Sequence, residues 1–462
     1  MASTMHKVVA LLVVLLACLA QAHSNIRGSA LGHWKKPDRH FGPYHHPKPD
    51  RRKKVYIRSS KSETDDVSGE FLRGLKKANH GGTLVLPANE TFVIGKKLDL
   101  TFLNNVQVKL DGEILFTDND TYWQEEENHF YHPFQRSIMF WKWGGKDIKI
   151  YGEGIINGNA QKWWDGAAGT QILDPNNVYL RPVLFYAENT TNLVIEGITF
   201  KDPPSWSNFI VTSENVSYDN VLVTAVSTNK NDPKNSDGWD SYNVKGLSVT
   251  NSYVNSGDDC FSPKPNTTDI YVKNLYCNGT HGISMGSIGQ YPGVQDIIEN
   301  VWIENVTMVN GQNGARLKAW AGPNVGYGYI KNVTYKDVII ENTDWPVLLD
   351  QCYFNINATT CAAYPSNVDF VDIRFLNVRG TSSGKNGRRV ASLTCSPQST
   401  CSGIRIEDFD VTSPKGDPPI IVCDYIQGDL GTQCYASNST EALAAKAAKL
   451  KMSKRWSVDL EY

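Results

Sequence analysis

The sequence predicts an all-β protein built from short strands that recur along most of its length. From Val106 onward, two or three β-forming residues at alternate positions are repeatedly followed by Asn, Asp or Gly. These segments start roughly 23–45 residues apart, which fits coils with variable loops. The alternation alone fits both a β-solenoid and an antiparallel sandwich. The segments are Val106/Val108/Leu110, Ile148/Ile150, Leu193/Ile195, Leu247/Val249, Ile270/Val272, Val301/Ile303, Val371/Ile373/Phe375 and Ile404/Ile406.

Length and charge narrow the classes of function. The chain has 462 residues, of which 40% are hydrophobic, so it can form one large domain or two ordinary ones. The formal net charge is −2, so no global field attracts nucleic acid, and we expect no nucleic-acid partner. Among the Cys and His residues no metal-ligand spacing stands out, and we expect neither metal nor cofactor.

The first residues predict a secreted protein. Residues 1–22 are typical of a signal peptide, with Lys7 before an apolar run over Val8–Ala20 and a cleavage site at Ala20-Gln21-Ala22. The apolar run is too short for a confident membrane span, so we expect no membrane association. We expect the mature protein to be extracellular.

Residues 23–54 are rich in Pro, His, Lys and Arg, and predict an exposed linker or pro-segment. The run Arg51–Lys54 fits a dibasic processing site, and it fits a solvated charge run equally well. The catalytic domain is predicted over residues 55–435. Glu63–Ala78 predicts an amphipathic helix that caps the first coil, because solenoids need polar-faced ends.

Four polar clusters between residues 235 and 318 organise the rest of the chain. They are Asn235–Asp240, Gly257–Cys260, Thr280–Ser284 and Arg316–Lys318. Asp237 and Asp258 are 21 positions apart, and Asp259 and His281 are 22 apart. In a β-solenoid a coil takes about 20–30 residues and strands lie about 4.8 Å apart, so these side chains would stack on one face.

Such a column favours glycoside hydrolysis. Crowded carboxylates hold their protons unequally, and an inverting glycosidase needs one acid and one base about 6.5–9.5 Å apart. One or two coil spacings can supply that separation. Arg316 and Lys318 share a strand face and make a cationic fork suited to a sugar carboxylate. Each cluster alone is typical of a turn, and the ordered set is what favours function.

The four clusters resemble the signature blocks of the polygalacturonases, glycoside hydrolase family 28, and are most similar to the fungal exo-acting members. The block from Cys277 to Gly293 resembles the exo-acting version of the family's His-Gly motif. Ser236 stands where the family usually has Thr, and Leu317 where it usually has Ile. The resemblance covers about Val55 to Cys434 and implies a single-domain right-handed parallel β-helix, a pectin-lyase-like solenoid, with a short N-terminal capping helix.

The resemblance also implies residue roles. Asp259 resembles the general acid, Asp237 and Asp258 the pair that activates water, and His281 a residue that tunes the acid. Substrate contacts are implied for four further residues, of which Tyr353 has the weakest motif: Asn235, Arg316, Lys318 and Tyr353. The implied reaction is hydrolysis of α-1,4 bonds in polygalacturonate from the non-reducing end, with inversion. We expect the protein to be a monomer, although the sequence does not decide the oligomeric state.

Two insertions, Asp118–Gln135 and Trp163–Tyr179, predict loops at a ligand cleft. We expect them to wall off one end of the cleft and to enforce exo action, although they could simply cover a solenoid edge. Trp239, Tyr291 and Trp320 lie beside the clusters and fit either sugar stacking or packing.

Covalent modification fits a secreted protein. Nine cysteines occur; Cys18 leaves with the signal, and the remaining eight allow 105 pairings. Sequence proximity favours Cys260–Cys277, Cys352–Cys361, Cys395–Cys401 and Cys423–Cys434, and the resemblance supports the first. Ten Asn-x-Ser/Thr sequons predict glycosylation at Asn89, Asn119, Asn189, Asn215, Asn266, Asn278, Asn305, Asn332, Asn357 and Asn438. Residues 436–462 predict a helical tail that either docks or frays.

Three alternatives to an exo-polygalacturonase stay open. An exo-acting rhamnogalacturonan galacturonohydrolase would use the same carboxylates with a different neighbouring subsite. A pectate lyase would need calcium and a basic residue. A non-catalytic pectin-binding solenoid would have no reason to gather four ionisable residues at coil spacing.

Overall fold

Strands one coil apart in the sequence pair side by side and in parallel, so the chain forms a β-helix. The computed structural model describes residues 52–171, 173–354 and 356–447. The predicted signal peptide, the linker up to residue 51 and the tail after residue 447 lie outside the described residues. None of the helices in the described part of the chain has the length and apolar character that crossing a membrane requires.

The described chain contains 27 strands and five α-helices. The strands are β1 Lys53–Tyr56, β2 Gly82–Leu86, β3 Thr91–Ile94, β4 Leu98–Leu110, β5 Glu113–Phe116, β6 Phe130–His132, β7 Ser137–Met139, β8 Trp141–Tyr151, β9 Ile155–Asn157, β10 Pro182–Val183, β11 Phe185–Glu196, β12 Thr199–Lys201, β13 Asn208–Asp219, β14 Leu222–Thr224, β15 Trp239–Asn255, β16 Phe261–Pro263, β17 Thr267–Asn278, β18 Ile283–Ile288, β19 Gln295–Val309, β20 Asn313–Trp320, β21 Tyr327–Thr343, β22 Trp345–Tyr353, β23 Asn367–Ser382, β24 Arg389–Thr394, β25 Cys401–Ser402, β26 Arg405–Thr412 and β27 Ile420–Asp424. The helices are α1 Ser68–Ala78, α2 Asp120–Gln124, α3 Gln161–Gly166, α4 Ala358–Ala363 and α5 Thr440–Ala447.

Twenty-four strands form one continuous sheet that winds around the core, and β6, β7 and β10 form a small separate sheet. The register stacks apolar residues on apolar residues. The same inward position is occupied on successive coils by Leu247, Ile270, Val301, Val333 and Ile373. All five are at most 3% exposed. The parallel pairing excludes the antiparallel sandwich, and the apolar positions counted in the sequence form the interior columns.

Asparagines form a second kind of column at or next to the ends of long strands. Asn310, Asn278 and Asn342 stack on successive coils, with Asn342 Nδ2 donating to Asn310 Oδ1 at 2.8 Å and Asn310 Nδ2 to Asn278 Oδ1 at 3.0 Å. Asn310 and Asn342 have positive φ values, 54° and 48°. Asparagine tolerates this left-handed backbone better than most residues, which explains why it recurs after each strand segment.

Both ends of the described solenoid carry a helix. Phe71 and Leu75 of α1 are fully buried, and the Phe71 ring lies 6.0 Å from that of Trp141. Helix α1 begins at Ser68, five residues after its predicted start at Glu63, because the Asp66 carboxylate accepts from the Ser68 backbone N–H at 2.8 Å and holds a turn there. The chain enters β1 at Lys53, two residues before the predicted domain start.

At the other end, Ala442 and Ala445 of α5 are buried against Ile420 and Val422 of β27. The described part of the tail therefore docks. Four disulfides are present, and they are the pairs that sequence proximity favoured: Cys260–Cys277, Cys352–Cys361, Cys395–Cys401 and Cys423–Cys434.

Candidate active site

The four polar clusters meet on one face because they flank strands that are neighbours in the sheet. Asp237 precedes β15, the Asp258–Asp259 pair precedes β16, and His281 precedes β18. The strands β15, β16, β18, β20 and β22 pair in this order. The register places Ser284 beside Arg316 of β20. The predicted stacking of the clusters is therefore what the backbone produces.

Three carboxylates lie at the centre of this face. Asp237, Asp258 and Asp259 each offer an oxygen within 4.8 Å of the others. This is closer than the roughly 6.5–9.5 Å expected of an inverting pair, so the separation inferred from coil spacing is wrong. Adjacent coils are only one strand spacing apart, and the side chains converge instead of splaying. Asp237 and Asp259 are 3% and 2% exposed, whereas Asp258 is partly exposed.

Asp259 is held as a carboxylate. Ser284 Oγ donates to its Oδ1 at 2.7 Å, and the buried Lys318 ammonium donates to its Oδ2. Burial alone would raise the pKa of Asp259, but Lys318 and the nearby Lys264 outweigh it and place that pKa well below the usual range. Its partner Lys318 has no proton to pass on at neutral pH, so this environment favours a base role for Asp259. The expected role of Asp259 as the general acid stays a prediction.

Asp258 forms a pair with His281. The imidazole Nδ1 lies 3.1 Å from Asp258 Oδ1, and the His281 backbone N–H donates to the Asp258 carbonyl at 2.9 Å. Burial works against the charge on both groups, yet their mutual attraction lowers the pKa of Asp258 and raises that of His281. One proton is therefore kept between the two side chains, beside the most accessible of the three carboxylates.

Asp237 lies next to a buried ion pair that sequence reasoning missed. Lys264 Nζ is 2.8 Å from Asp240 Oδ1 and 3.6 Å from Asp237 Oδ2. Burial, together with the charges of Asp240 and Asp258, raises the pKa of Asp237 well above its usual value. Burial raises the pKa of Asp240 to about 6. A lysine directly after the short Phe261–Pro263 strand was the available signal, since lysine at a core position needs a partner.

Asn235 connects this cluster to the second insertion. Arg181, which follows that insertion, donates from Nη2 to Asn235 Oδ1 at 2.7 Å and from Nη1 to the Pro204 carbonyl at 2.9 Å. Asn235 Nδ2 in turn lies 3.5 Å from Asp258 Oδ2. Burial lowers the pKa of Arg181 to about 10, so it remains charged at neutral pH. The loop is thus linked to a catalytic candidate through two side chains.

The predicted fork of two cations is divided between two tasks. Lys318 is 2% exposed and pairs with Asp259. The Arg316 side chain is 13% exposed, with Nη2 2.7 Å from Asp350 Oδ2. Both cations lie over the ring of Tyr353, at 5.3 Å for Arg316 and 5.1 Å for Lys318. Arg316 is therefore the member of the pair that remains accessible for an incoming anion.

Two cavities border residues that contact the site, one at Tyr353 and one at Arg181, and the second insertion lines both. One, of about 680 Å³, includes Gln135, Leu173, Tyr291, Trp320 and Tyr353 among its lining residues. The other, of about 640 Å³, includes residues from the same insertion, two lysines and the loop arginine: Trp164, Gln171, Arg181, Lys230 and Lys234.

Of the three aromatic residues predicted to stack on sugar or to pack, two line a cavity and one lies in the core. Tyr291 and Trp320 line the larger cavity, where they can meet a sugar, whereas Trp239 is 1% exposed and belongs to the core. The two insertions are joined to each other and to the coils. Tyr179 donates to Asp120 Oδ2 at 3.0 Å, and Gln135 donates from its backbone N–H to the Tyr291 hydroxyl at 3.1 Å.

Comparisons with known proteins agree with this geometry. A profile for "Glycosyl hydrolases family 28" matches residues 82–435. A protein named "Probable exopolygalacturonase B" from Aspergillus terreus is 62% identical over 401 residues, covering 87% of this chain and 92% of that protein. A protein of the same name from Aspergillus niger is 59% identical over 402 residues, covering 87% of this chain and 91% of that protein.

Solved structures confirm the predicted right-handed parallel β-helix. The endo-xylogalacturonan hydrolase from Aspergillus tubingensis superposes with a TM-score of 0.75 at 28% identity, over 83% of this chain and 99% of that one. A hyperthermoactive exopolygalacturonase from Thermotoga maritima superposes with a TM-score of 0.58 at 19% identity, over 87% of this chain and 92% of that one.

Proposed function

Since the chain belongs to glycosyl hydrolases family 28, we propose that it is a secreted exo-polygalacturonase. It hydrolyses α-1,4 bonds between galacturonic acid residues from the non-reducing end of polygalacturonate and releases galacturonic acid. The observation that carries the proposal is the group of three carboxylates with one attached histidine, Asp237, Asp258, Asp259 and His281. The high identity to proteins named exopolygalacturonase supports the substrate and the exo mode.

Asp258 with His281 supplies the proton. Asp258 has the most exposed side chain of the triad, at 18%, and can therefore reach the leaving oxygen of a bound sugar. When the glycosidic bond breaks, the one proton shared by the pair moves from the His281 imidazolium, 3.1 Å away, through the Asp258 carboxyl group to that oxygen. The pair is left as a carboxylate and a neutral imidazole, and His281 takes a proton from solvent before the next turnover. This arrangement gives Asp258 the role that the family resemblance first suggested for Asp259.

Asp259 and Asp237 hold the water that attacks the anomeric carbon. Asp259 is ionised because Lys318 pairs with it, so it accepts the proton that the water loses. Asp237 is the other carboxylate within reach of the same space. The raised pKa of Asp237 makes it the competing proton donor. A substrate whose leaving group needs no protonation shows whether Asp258 or Asp237 is the donor.

Arg316 binds the carboxylate of a galacturonate residue. Its side chain is accessible, and its position over the Tyr353 ring keeps the guanidinium face fixed while leaving its edge for an anion. The aromatic residues of the larger cavity, Tyr291 and Trp320, offer surfaces on which a neighbouring sugar can stack.

The two insertions account for exo action in this proposal. The second insertion lines both cavities and is joined through Tyr179 to the first insertion, whose Gln135 lines the larger cavity. Together the two insertions limit the length of chain that fits beyond the cleaved sugar. Replacing Asp118–Gln135 by a short turn should then permit internal cleavage. A shortened enzyme that still releases only monomers would contradict this explanation of exo action.

Product analysis by anion-exchange chromatography tests the function. On polygalacturonate we expect galacturonic acid alone from the earliest time points, with little loss of viscosity. Mixed oligomers at early times would mean endo action and would refute the exo assignment. Activity confined to the ends of rhamnogalacturonan fragments would keep the mechanism and change the substrate. An unsaturated product, together with inhibition by EDTA, would mean a lyase instead.

Inversion is part of the proposal and needs its own experiment. Family membership favours it, whereas the short distance between the carboxylates is closer to the roughly 5–5.5 Å of a retaining pair. Proton NMR of the reaction in progress separates them. We expect β-galacturonic acid to appear first and then to mutarotate. Initial release of the α-anomer would mean retention and a covalent intermediate on one aspartate.

Secretion, a monomeric state and glycosylation complete the proposal. Sequencing the N-terminus of protein recovered from the culture medium should place the start of the mature chain after Ala22. A mature chain that begins after the basic run 51–54 would mean that the linker is also removed. Sedimentation of the purified protein should give the mass of one glycosylated chain.

A further inference from the structure

Lys264 is a buried cation that the catalytic scheme above leaves unused. It is 4% exposed, and its Nζ lies 2.8 Å from Asp240 Oδ1, 2.7 Å from Ser262 Oγ and 3.6 Å from Asp237 Oδ2. Its pKa is raised: burial opposes the charge, but the carboxylates of Asp240 and Asp237 outweigh burial. An ammonium therefore lies buried beside the triad.

The four aspartates of this face need cations if any is to act as a base. Lys318 pairs with Asp259, and His281 pairs with Asp258. Among the described residues, Lys264 is the cation that lies within 4.0 Å of Asp237. It is also joined to the Asp259 side of the site, since it donates to Ser262 Oγ, which lies 3.0 Å from Asp259 Oδ2.

We propose that Lys264 is a positioning residue that fixes the water-activating carboxylates, Asp237 and Asp259, and favours the charged form of both. It acts through these two aspartates and does not touch substrate. Asp240 holds the ammonium in place from the opposite side and also repels charge on Asp237. The inference rests on the proposed function, because it assigns Lys264 to the step in which water loses its proton.

The main charged groups that act on Asp237 come from its own cluster, from the neighbouring coil and from the segment after the second insertion. They are Asp240, Asp258, Lys264, Asp259 and Arg181. Removing Lys264 leaves the three carboxylate neighbours with less compensation. Removing Asp240 has the opposite effect. The two changes must therefore move the ionisation of the base in opposite directions.

The experiment measures kcat/KM on polygalacturonate across pH for wild type, Lys264→Met, Lys264→Arg, Asp240→Asn and the double variant Asp240→Asn/Lys264→Met. The acidic limb of the resulting pH profile reports the pKa of the base. Loss of an opposite charge within about 4–6 Å raises a carboxyl pKa by roughly 1–3 pH units. We expect the limb of Lys264→Met to move to higher pH by that amount, with KM nearly unchanged. Lys264→Arg should move it less.

The double variant keeps the test decisive if Lys264→Met fails to fold. It differs from Asp240→Asn by Lys264 alone, so its limb must lie at higher pH than that of Asp240→Asn. The matched control is Lys385→Met, which removes an exposed lysine 2.8 Å from Asp344, and its limb should coincide with wild type.

The outcomes separate the two proposals. A wild-type enzyme that releases no galacturonic acid overturns the proposed function itself. If the wild type is active but the acidic limb of Lys264→Met coincides with that of wild type, the role of Lys264 is overturned and the function stands. The same holds if Asp240→Asn and the double variant have their acidic limbs at the same pH.

Discussion

Two columns of side chains rise through the same coils and obey different rules. The interior column, which includes Leu247, Ile270 and Val301, repeats apolar residues at one register position. The active-site face stacks carboxylates and cations at the ends of neighbouring strands. A solenoid brings equivalent positions within about 4.8 Å of each other, which favours apolar repetition and penalises like charges. Each charge on the active-site face therefore needs its own partner, and the partners determine the chemistry.

The largest expected effect is the loss of the proton donor. Asp258→Asn keeps the size of the side chain and removes the proton, so kcat on polygalacturonate should fall about 10²–10⁴-fold. Circular dichroism and the melting temperature should stay close to wild type, because Asp258 is partly exposed.

A substrate with a leaving group that needs no protonation identifies the donor. With galacturonosyl fluoride, Asp258→Asn should recover most of its activity, whereas Asp259→Asn should not, since the base is still required. Recovery in Asp237→Asn instead would assign the proton to Asp237, in agreement with its raised pKa.

The next effect concerns the buried pair between Lys318 and Asp259. Lys318→Met removes one partner and leaves a carboxylate buried, which should cost about 3–5 kcal/mol in the free energy of unfolding and abolish activity. Urea denaturation at several pH values measures this cost.

The pH dependence of that cost has a definite sign. The folded-state pKa of Asp259 is lowered, so its ionisation stabilises the protein above the unfolded-state pKa, near 3.9, and this contribution disappears as pH falls through the folded-state value. The difference between wild type and Lys318→Met should therefore be full near neutral pH and shrink in acid. A difference that grows in acid would contradict the assigned charge on Asp259.

The contrast between the columns explains what the sequence could predict. Alternating apolar residues fitted both coils and a sandwich, and the family resemblance favoured the coils. In a coiled backbone the spacing of the four clusters is enough to bring Asp237, Asp258 and His281 together. The partners were harder to predict. Lys264 lies in no recognisable cluster, and the pairing of Lys318 with Asp259 depends on side-chain directions. The roles of Asp258 and Asp259 therefore depend on contacts that the spacing of the clusters does not show.

The interior column should respond to change in a different way. Ile270→Val removes one methylene from a position that is 3% exposed, which should cost about 0.5–1.5 kcal/mol of stability. No charge is left without a partner, so kcat and the pH profile should match wild type at 25 °C. Thermal unfolding and steady-state kinetics together check this. A shifted pH profile in Ile270→Val would show that the two columns are coupled and not independent.

The smallest expected effect is a difference in glycosylation between sequons whose Asn belongs to an asparagine column and sequons whose Asn does not. Asn278 donates from Nδ2 to Asn255 Oδ1 at 3.1 Å and accepts from Asn310 at 3.0 Å, so its amide is enclosed by the coils on both sides. A sugar on that nitrogen would have to displace a neighbouring asparagine close to His281. Asn89 and Asn438 are exposed. Glycopeptide mass spectrometry of the secreted protein should therefore find glycans at Asn89 and Asn438 and none at Asn278. A glycan on Asn278 in active enzyme would mean that the column opens there, and that its regular stacking is not required for the adjacent site.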